Sequence, residues 1–340
     1  MTAHSDRLAW GLPVACGVLR STPEDFRVTE RLGRDPDGEG EHLWFWIEKR
    51  ERNTVDVARD LARAAGVHPR QVSFAGLKDR IAVTRQYFSV HLPGADDPDW
   101  ASWSISGVTI ESATRSSRKI RRGTLDGNDF ELLIRDLDGN HERIEQRLTR
   151  IAESGVPNGF GVQRFGGNNI GRARALFAGE MRRSPSRAKR GFYLSAARSF
   201  IFNLVLSQRI EEGSWNELID GDVAMLDGSQ SFFVPDLDDP ETQRRARALD
   251  IHPSGPMVGL GEPPVSGKVG QLESAIGERE SDLLLGLQRF RLEHQRRALR
   301  MRVDKLDWHF PAADQLSLRF SLGQGSYATS MLRELIDVAG

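Results

Sequence analysis

The stretch FAGLKDRIAVTRQYFSV, residues 74–90, sets one carboxylate, Asp79, between the cations Lys78 and Arg80, ahead of a run of β-branched and aromatic residues. A carboxylate kept ionised beside a positive charge can act as a nucleophile or as a general base. The same pattern also suits a turn closed by a surface ion pair. The rest of the chain narrows the chemistry available. Cys16 is the only cysteine, which excludes a disulfide framework or a thiolate metal site within one chain, and its expected role is a small buried hydrophobe. The eight histidines are scattered without an H-E-x-x-H pair, so no metal is expected. The Gly-rich segment RFGGNNIGRA (164–173) lacks G-x-G-x-x-G spacing, and no G-x-x-x-x-G-K-[ST] loop occurs. An enzyme built on this chain is therefore expected to use ordinary side chains and no cofactor.

Across 340 residues the net charge is only −1, but positive charge gathers in RSSRKIRR (115–122), RRSPSRAKR (182–190) and RFRLEHQRRALRMR (289–302). Acidic residues collect elsewhere, as in DLDDPE (236–241). Separated basic clusters on a near-neutral chain suit local nucleic-acid binding, the alternative being solvated faces. No run approaches the ~18 apolar residues of a membrane span, and the N-terminus has no basic-then-apolar signal layout. No membrane association and a cytoplasmic location are expected.

These residues need elements to position them. FRVTE, HLWFWIEK, QYFSVHL, SISGVTIESA and DFELLIRDL read as strands, while TVDVARDLARAAG carries Val57, Ala58, Leu61 and Ala65 at helical spacing and stops at Gly66. HERIEQRLTRIAESG repeats the pattern with Ile144, Leu148 and Ile151. From about 155 to 300 the expected elements are helices: LSAARSFIFNLVLSQRIEEG, DPETQRRARAL and ESDLLLGLQRFRLEHQRRAL. Strands return in ALRMRVDKLDWHF and QLSLRFSL, before a closing helix, SYATSMLRELIDV. The expected fold class is α+β: a mixed, mostly antiparallel sheet from residues 1–154 and 300–340, interrupted by a largely helical inserted domain over 155–299.

AGLKDRIAVTRQ resembles the catalytic motif of the tRNA pseudouridine synthase D (TruD) family, and four further segments match in the family's order: PEDFRVTE (23–30), KIRRGTLDGNDFEL (119–132), PNGFGVQRFG (157–166) and GSYATSMLREL (325–335). The resemblance spans nearly the whole chain. It implies isomerisation of uridine to pseudouridine in tRNA, at position 13 of the D arm, by a cofactor-free catalytic domain of pseudouridine synthase type. It makes Asp79 the catalytic residue and suggests Arg20 as its basic partner, with Lys78, Arg80 and Arg85 as alternatives. An enzyme of this kind must extrude its target base. Phe26, Asn128 and Tyr327 are the matching substrate-binding positions: two rings for a wall or stack, and an amide able to donate and accept toward a uracil edge. Phe26 and Phe130 also suit a strand core, and Asn128 after Gly127 a hairpin corner.

Lys78, Arg80, Arg85, Arg118, Lys119, Arg121, Gln163 and Arg164 are candidates for RNA contact, and PNGFGVQRFG is read as the hinge into the insert, lining the RNA cleft. The chain departs from the family pattern at Gly159, Val162, Asp129 and Tyr327, which bears on substrate range more than on reaction class. The expected partner is tRNA, with no obligate protein partner and a monomeric state. A synthase acting on another RNA and a silent tRNA-binding module are the competing readings, and the intact K-D-x-x-A-x-T-x-Q pattern argues against the second.

Overall fold

Period-two alternation builds the first part of the chain. In β1 (Ala15–Leu19), β2 (Phe26–Arg31) and β3 (His42–Arg50) every second side chain is buried. Helix α1 (Thr54–Ala64) follows, then β4 (Val72–Phe74), β5 (Val83–His91), β6 (Val108–Ser116), the long β7 (Gly127–Gly139) and α2 (His141–Ser154). A computed structural model describes residues 7–339 of the chain.

The middle of the chain forms β8 (Val156–Pro157), α3 (Val162–Phe165), α4 (Asn169–Phe177), α5 (Arg187–Glu211), β9 (Ala224–Leu226), β10 (Phe232–Phe233) and α6 (Pro240–Arg247). It continues through β11 (Ile251–Met257), α7 (Gly267–Arg279), α8 (Ser281–Arg289), β12 (Gln295–Ala298) and β13 (Arg300–Met301). The last elements are β14 (Asp304–Ala312), β15 (Gln315–Gly323), α9 (Ala328–Leu335) and β16 (Ile336–Ala339).

These elements fall into two compact units. One holds Val14–Ile144, Val303–Ala328 and the segment from Ile336; the other holds the residues up to Pro13, Glu145–Arg302 and Thr329–Leu335. The first unit is built on a ten-stranded mixed sheet that runs β14-β15-β7-β2-β5-β3-β6, with β1 between β7 and β16, and β4 beside β5. Within this sheet, among the described residues, only β2 with β5 and β1 with β16 pair in parallel. Helix α1 buries Val57, Ala58, Leu61 and Ala62 against Phe45, Ile47, Phe74, Phe88 and Val90 of the sheet. Its apolar stripe at helical spacing meets the inward phase of three strands.

The second unit is organised around α5, which carries Phe200, Ile201, Phe202, Val205 and Leu206 into a core shared with Phe160, Phe165, Phe177, Leu283 and Leu299. It is less purely helical than its periodicity suggests, because β10-β9-β11-β12 form a four-stranded sheet of their own. The expected helix over ESDLLLGLQRFRLEHQRRAL ends at Arg289, and Arg291 takes a left-handed φ of 51°. Its tail becomes β12, whose Arg296 is buried and forms a two-pronged ion pair with Glu273 at 2.8 and 2.9 Å. An internal partner for that arginine overrides local helical pattern. Arg300 is likewise buried, donating to His252 and to the Ala246 and Ile251 carbonyls. Two of the six arginines in the third basic cluster are thus internal scaffolding, while Arg289 and Arg291 stay exposed, which narrows the surface first read from the sequence.

Cys16 sits at the outward phase of β1 and is exposed, because Ala15, Gly17 and Leu19 take the inward positions. The expected closing helix stops at Leu335, after which Ile336–Ala339 pairs with β1.

Candidate active site

Asp79 lies in the loop between β4 and β5 and keeps 51% of its side-chain surface exposed. Arg20, just after β1, reaches it across 59 residues of sequence, its guanidinium donating to Oδ2 at 3.1 Å. Arg20 has φ of 64°, a left-handed conformation that disfavours a residue with a Cβ by roughly 1 kcal/mol. The backbone accepts this cost where the chain must turn to aim the side chain. The guanidinium also lies 4.0 Å from the centre of the Phe26 ring. Phe26 is fully buried and meets Phe130 edge to face, so one face supports Arg20 while the rest belongs to the core.

A second cation braces the loop from within. Lys49, at the inward phase of β3, is fully buried and donates through Nζ to the backbone carbonyl of Asp79 at 2.8 Å. Burial pushes its ammonium down to about 8; the Asp79 charge opposes this and Lys78 reinforces it. From about pH 8 to the ordinary lysine value of 10.5, the unfolded chain holds a proton that the native Lys49 has lost. Wild-type stability should therefore rise relative to Lys49→Met across that window, with a constant offset below it. Urea midpoints of both proteins measured from about pH 7 to about pH 10 test this; an offset that does not move with pH would show that Lys49 keeps its proton throughout.

Lys78, the residue before Asp79, turns the other way. Its side chain is 5% exposed, and Nζ donates to Glu30 Oε2 and to Asn128 Oδ1, both at 2.8 Å. Its backbone N–H donates to Thr54 Oγ1, which bonds Gln86, which in turn donates to the Gly76 carbonyl. Lys78, Thr54 and Gln86 thus each have hydrogen-bond partners that fix the loop from within. Glu30 also accepts from the Tyr87 N–H at 3.3 Å, and burial pushes its carboxyl up against the opposing pull of Lys78. Asn128 stands at the start of β7 rather than in a hairpin turn, after Gly127, where a Cβ would come within 2.2 Å of the Leu322 carbonyl oxygen.

The remaining candidates spread more widely. Arg85 is held by Glu48 and Glu111 at 3.1 and 2.9 Å. Arg80, Arg118, Lys119 and Arg121 are exposed, the last three between β6 and β7. Tyr327 is 42% exposed in the turn before α9. Gln163 and Arg164 belong to the other unit, in α3, where Arg164 donates to Ser195 Oγ and lies over the Phe160 ring. The segment read as a hinge packs inside that unit, with Asn203 donating to the Phe160 carbonyl and accepting from its N–H, both at 2.9 Å. The changes of unit that flank this segment fall between Ile144 and Glu145 and between Arg302 and Val303.

Sequence reading missed Lys49 and Glu30. Both carried a usable signal: a charged residue at the inward phase of a strand, after Leu43, Phe45 and Ile47 in one case and after Phe26 and Val28 in the other. Such residues are retained only with partners.

Comparison with known proteins supplies the family. The profile of tRNA pseudouridine synthase D (TruD) matches residues 5–181 and 181–335. The chain belongs to the TruD family. It is 47% identical over 346 residues to the tRNA pseudouridine synthase D of Methylococcus capsulatus, covering 99% of this chain and 98% of that one. It is 44% identical over 332 residues to that of Hydrogenovibrio crunogenus, covering 97% and 95%. Among solved structures, the putative tRNA pseudouridine synthase D of Methanosarcina mazei shares the fold at a TM-score of 0.77 and 24% identity, over 98% of this chain and 96% of the other. The five TruD segments thus sit in a TruD-like fold, and no helix among the described residues is long and apolar enough to cross a membrane.

Proposed function

We propose that the protein converts uridine to pseudouridine at position 13 in the D arm of tRNA, in the cytoplasm, with Asp79 as the acting carboxylate and no cofactor. The family assignment supplies the reaction class, a tRNA pseudouridine synthase. The observation that carries the assignment to Asp79 is its double bracing: Arg20 on the carboxylate and Lys49 on the peptide carbonyl of the same residue.

The chemistry is an isomerisation, so bonds and protons balance without a co-substrate. The bond from N1 to C1′ breaks, the uracil turns, C5 bonds to C1′, and C5 then gives up its proton while N1 regains one. A carboxylate can start this by attacking C1′ or by taking a ribose proton. Both routes need the charged form, and both need it held in one place while the base moves. Arg20 and Lys49 meet the second need; the half-exposed setting of Asp79 leaves room for a ribose to approach. Arg118, Lys119 and Arg121 form an exposed cationic strip in the same unit, suited to the phosphates of the target stem.

Chemical mapping of pseudouridine in tRNA and rRNA, from cells with and without the protein, tests the assignment. Loss of a single modification at tRNA position 13 is the expected result. Loss at another RNA site would keep the reaction and overturn the target, and an unchanged map would overturn the enzyme reading.

A further inference from the structure

Glu30 and Asn128 are direct cross-strand partners on β2 and β7, so their side chains leave the same face of the sheet. Lys78 enters between them and bonds both at 2.8 Å. An ammonium has three donors and no acceptor, so the Asn128 atom that meets it has to be the carbonyl oxygen. This fixes an amide orientation that would otherwise be free to flip. The Asn128 NH2 group has no hydrogen-bond partner among the described residues, and the residue is half-buried.

We propose that Lys78, itself anchored by Glu30, locks the Asn128 carboxamide so that it presents only N–H donors, directed at a carbonyl oxygen of the target uracil. This rests on the pseudouridine synthase reading above and deepens it, since Lys78 then becomes a positioning residue rather than a phosphate contact, with Glu30 as its anchor. Uracil offers acceptors at O2 and O4 and a donor at N3, so an amide free to flip could meet either kind of group. A locked one selects a carbonyl. When the N1–C1′ bond breaks, negative charge develops on N1 and spreads onto both carbonyl oxygens. A fixed donor at one of them stabilises the detached base in the manner of an oxyanion hole, where removing one donor costs about 10²–10³ in rate.

The test is a mutant cycle read by single-turnover conversion of uridine in tRNA. Removing Lys78 alone would strand the buried Glu30 charge and risk unfolding, so the positioning arm is the paired variant Glu30→Gln with Lys78→Met, with folding checked by circular dichroism. The site arm is Asn128→Ala, expected to lower the rate about 100-fold. If the pair acts through Asn128, adding it to Asn128→Ala should cost little more than Asn128→Ala alone. Multiplying losses would show that Lys78 merely supports the Asp79 loop, and would overturn the proposal.

A second readout uses tRNA with 2-thiouridine or 4-thiouridine at the target, because sulfur is a weaker acceptor. Wild type should lose rate on one of the two, and Asn128→Ala should show no further loss on that same substrate. Equal losses for wild type and variant on both would overturn donor recognition by Asn128. Failure of wild type to convert ordinary tRNA uridine would instead refute the underlying assignment.

Discussion

Asp79→Asn should fold and bind tRNA near normally while losing at least about 10³-fold in uridine conversion. The substitution keeps the shape of the side chain, and an amide oxygen can still accept from the Arg20 guanidinium. It removes the charge, so it supplies neither a strong nucleophile nor a base at neutral pH. The Lys49 bond survives because it goes to the backbone carbonyl, which the substitution leaves in place. A half-exposed ion pair contributes roughly 0–1 kcal/mol, so stability should barely move. The measurement is tritium release from C5-labelled uridine in tRNA under single-turnover conditions. Release by the Asn variant at more than about a tenth of the wild-type rate would remove Asp79 from the catalytic role.

The largest stability effect is expected in the other unit, at Arg209 of α5. Its side chain is fully buried with Asp222, to which both terminal guanidinium nitrogens donate at 3.1 and 2.8 Å. The Ser214 carbonyl and hydroxyl and the Glu217 carbonyl take further donors. Arg209→Met fills much of the volume but leaves Asp222 as an uncompensated buried charge, at a cost of about 3–5 kcal/mol. Replacing both partners, Arg209→Met with Asp222→Leu, should recover most of that loss, because no charge is then stranded. Urea unfolding of the three proteins gives the comparison. A single-variant loss under about 1 kcal/mol would show that Asp222 is protonated or hydrated when alone.

How much of this was legible in the sequence depended on the range of the interaction involved. Strands β2, β3, β5 and β7 and helix α1 were readable because each buries one face, and burial writes a period of 2 or 3.6 into the chain. β12 and β16 were not. The first was hidden in a helical pattern whose Arg296 answers to Glu273, and the second in an IDV run that pairs with residues more than 300 positions earlier. At the site, Asp79, Arg20 and Asn128 stood out through the family resemblance, each inside a short local motif. The orientation of Lys78 did not, because Lys-Asp-Arg reads as three charges on a loop until Glu30, 48 residues away, draws the first one inward. Inward-phase charges such as Glu30 and Lys49 announce that a partner must exist, but not which one.

The pairing of β7 with β15 bears on how a ribosome must deliver this protein. Residues Gly127–Ile134 of β7 take β15 along their whole length, yet Gln315 emerges roughly 180 residues after β7 is complete. At about 5–20 residues per second that interval lasts roughly ten to thirty-five seconds. Throughout it the nascent chain carries an open strand edge holding Phe130, Leu132 and Ile134, while all of Glu145–Arg302 is still being made. An unpaired edge of that length is a template for wrong partners. A ribosome stalled anywhere in the middle unit therefore leaves a chain whose Asp79 loop is fully synthesised but whose sheet is unfinished and adhesive, so translation quality control has more at stake here than in a chain whose strands close as they emerge.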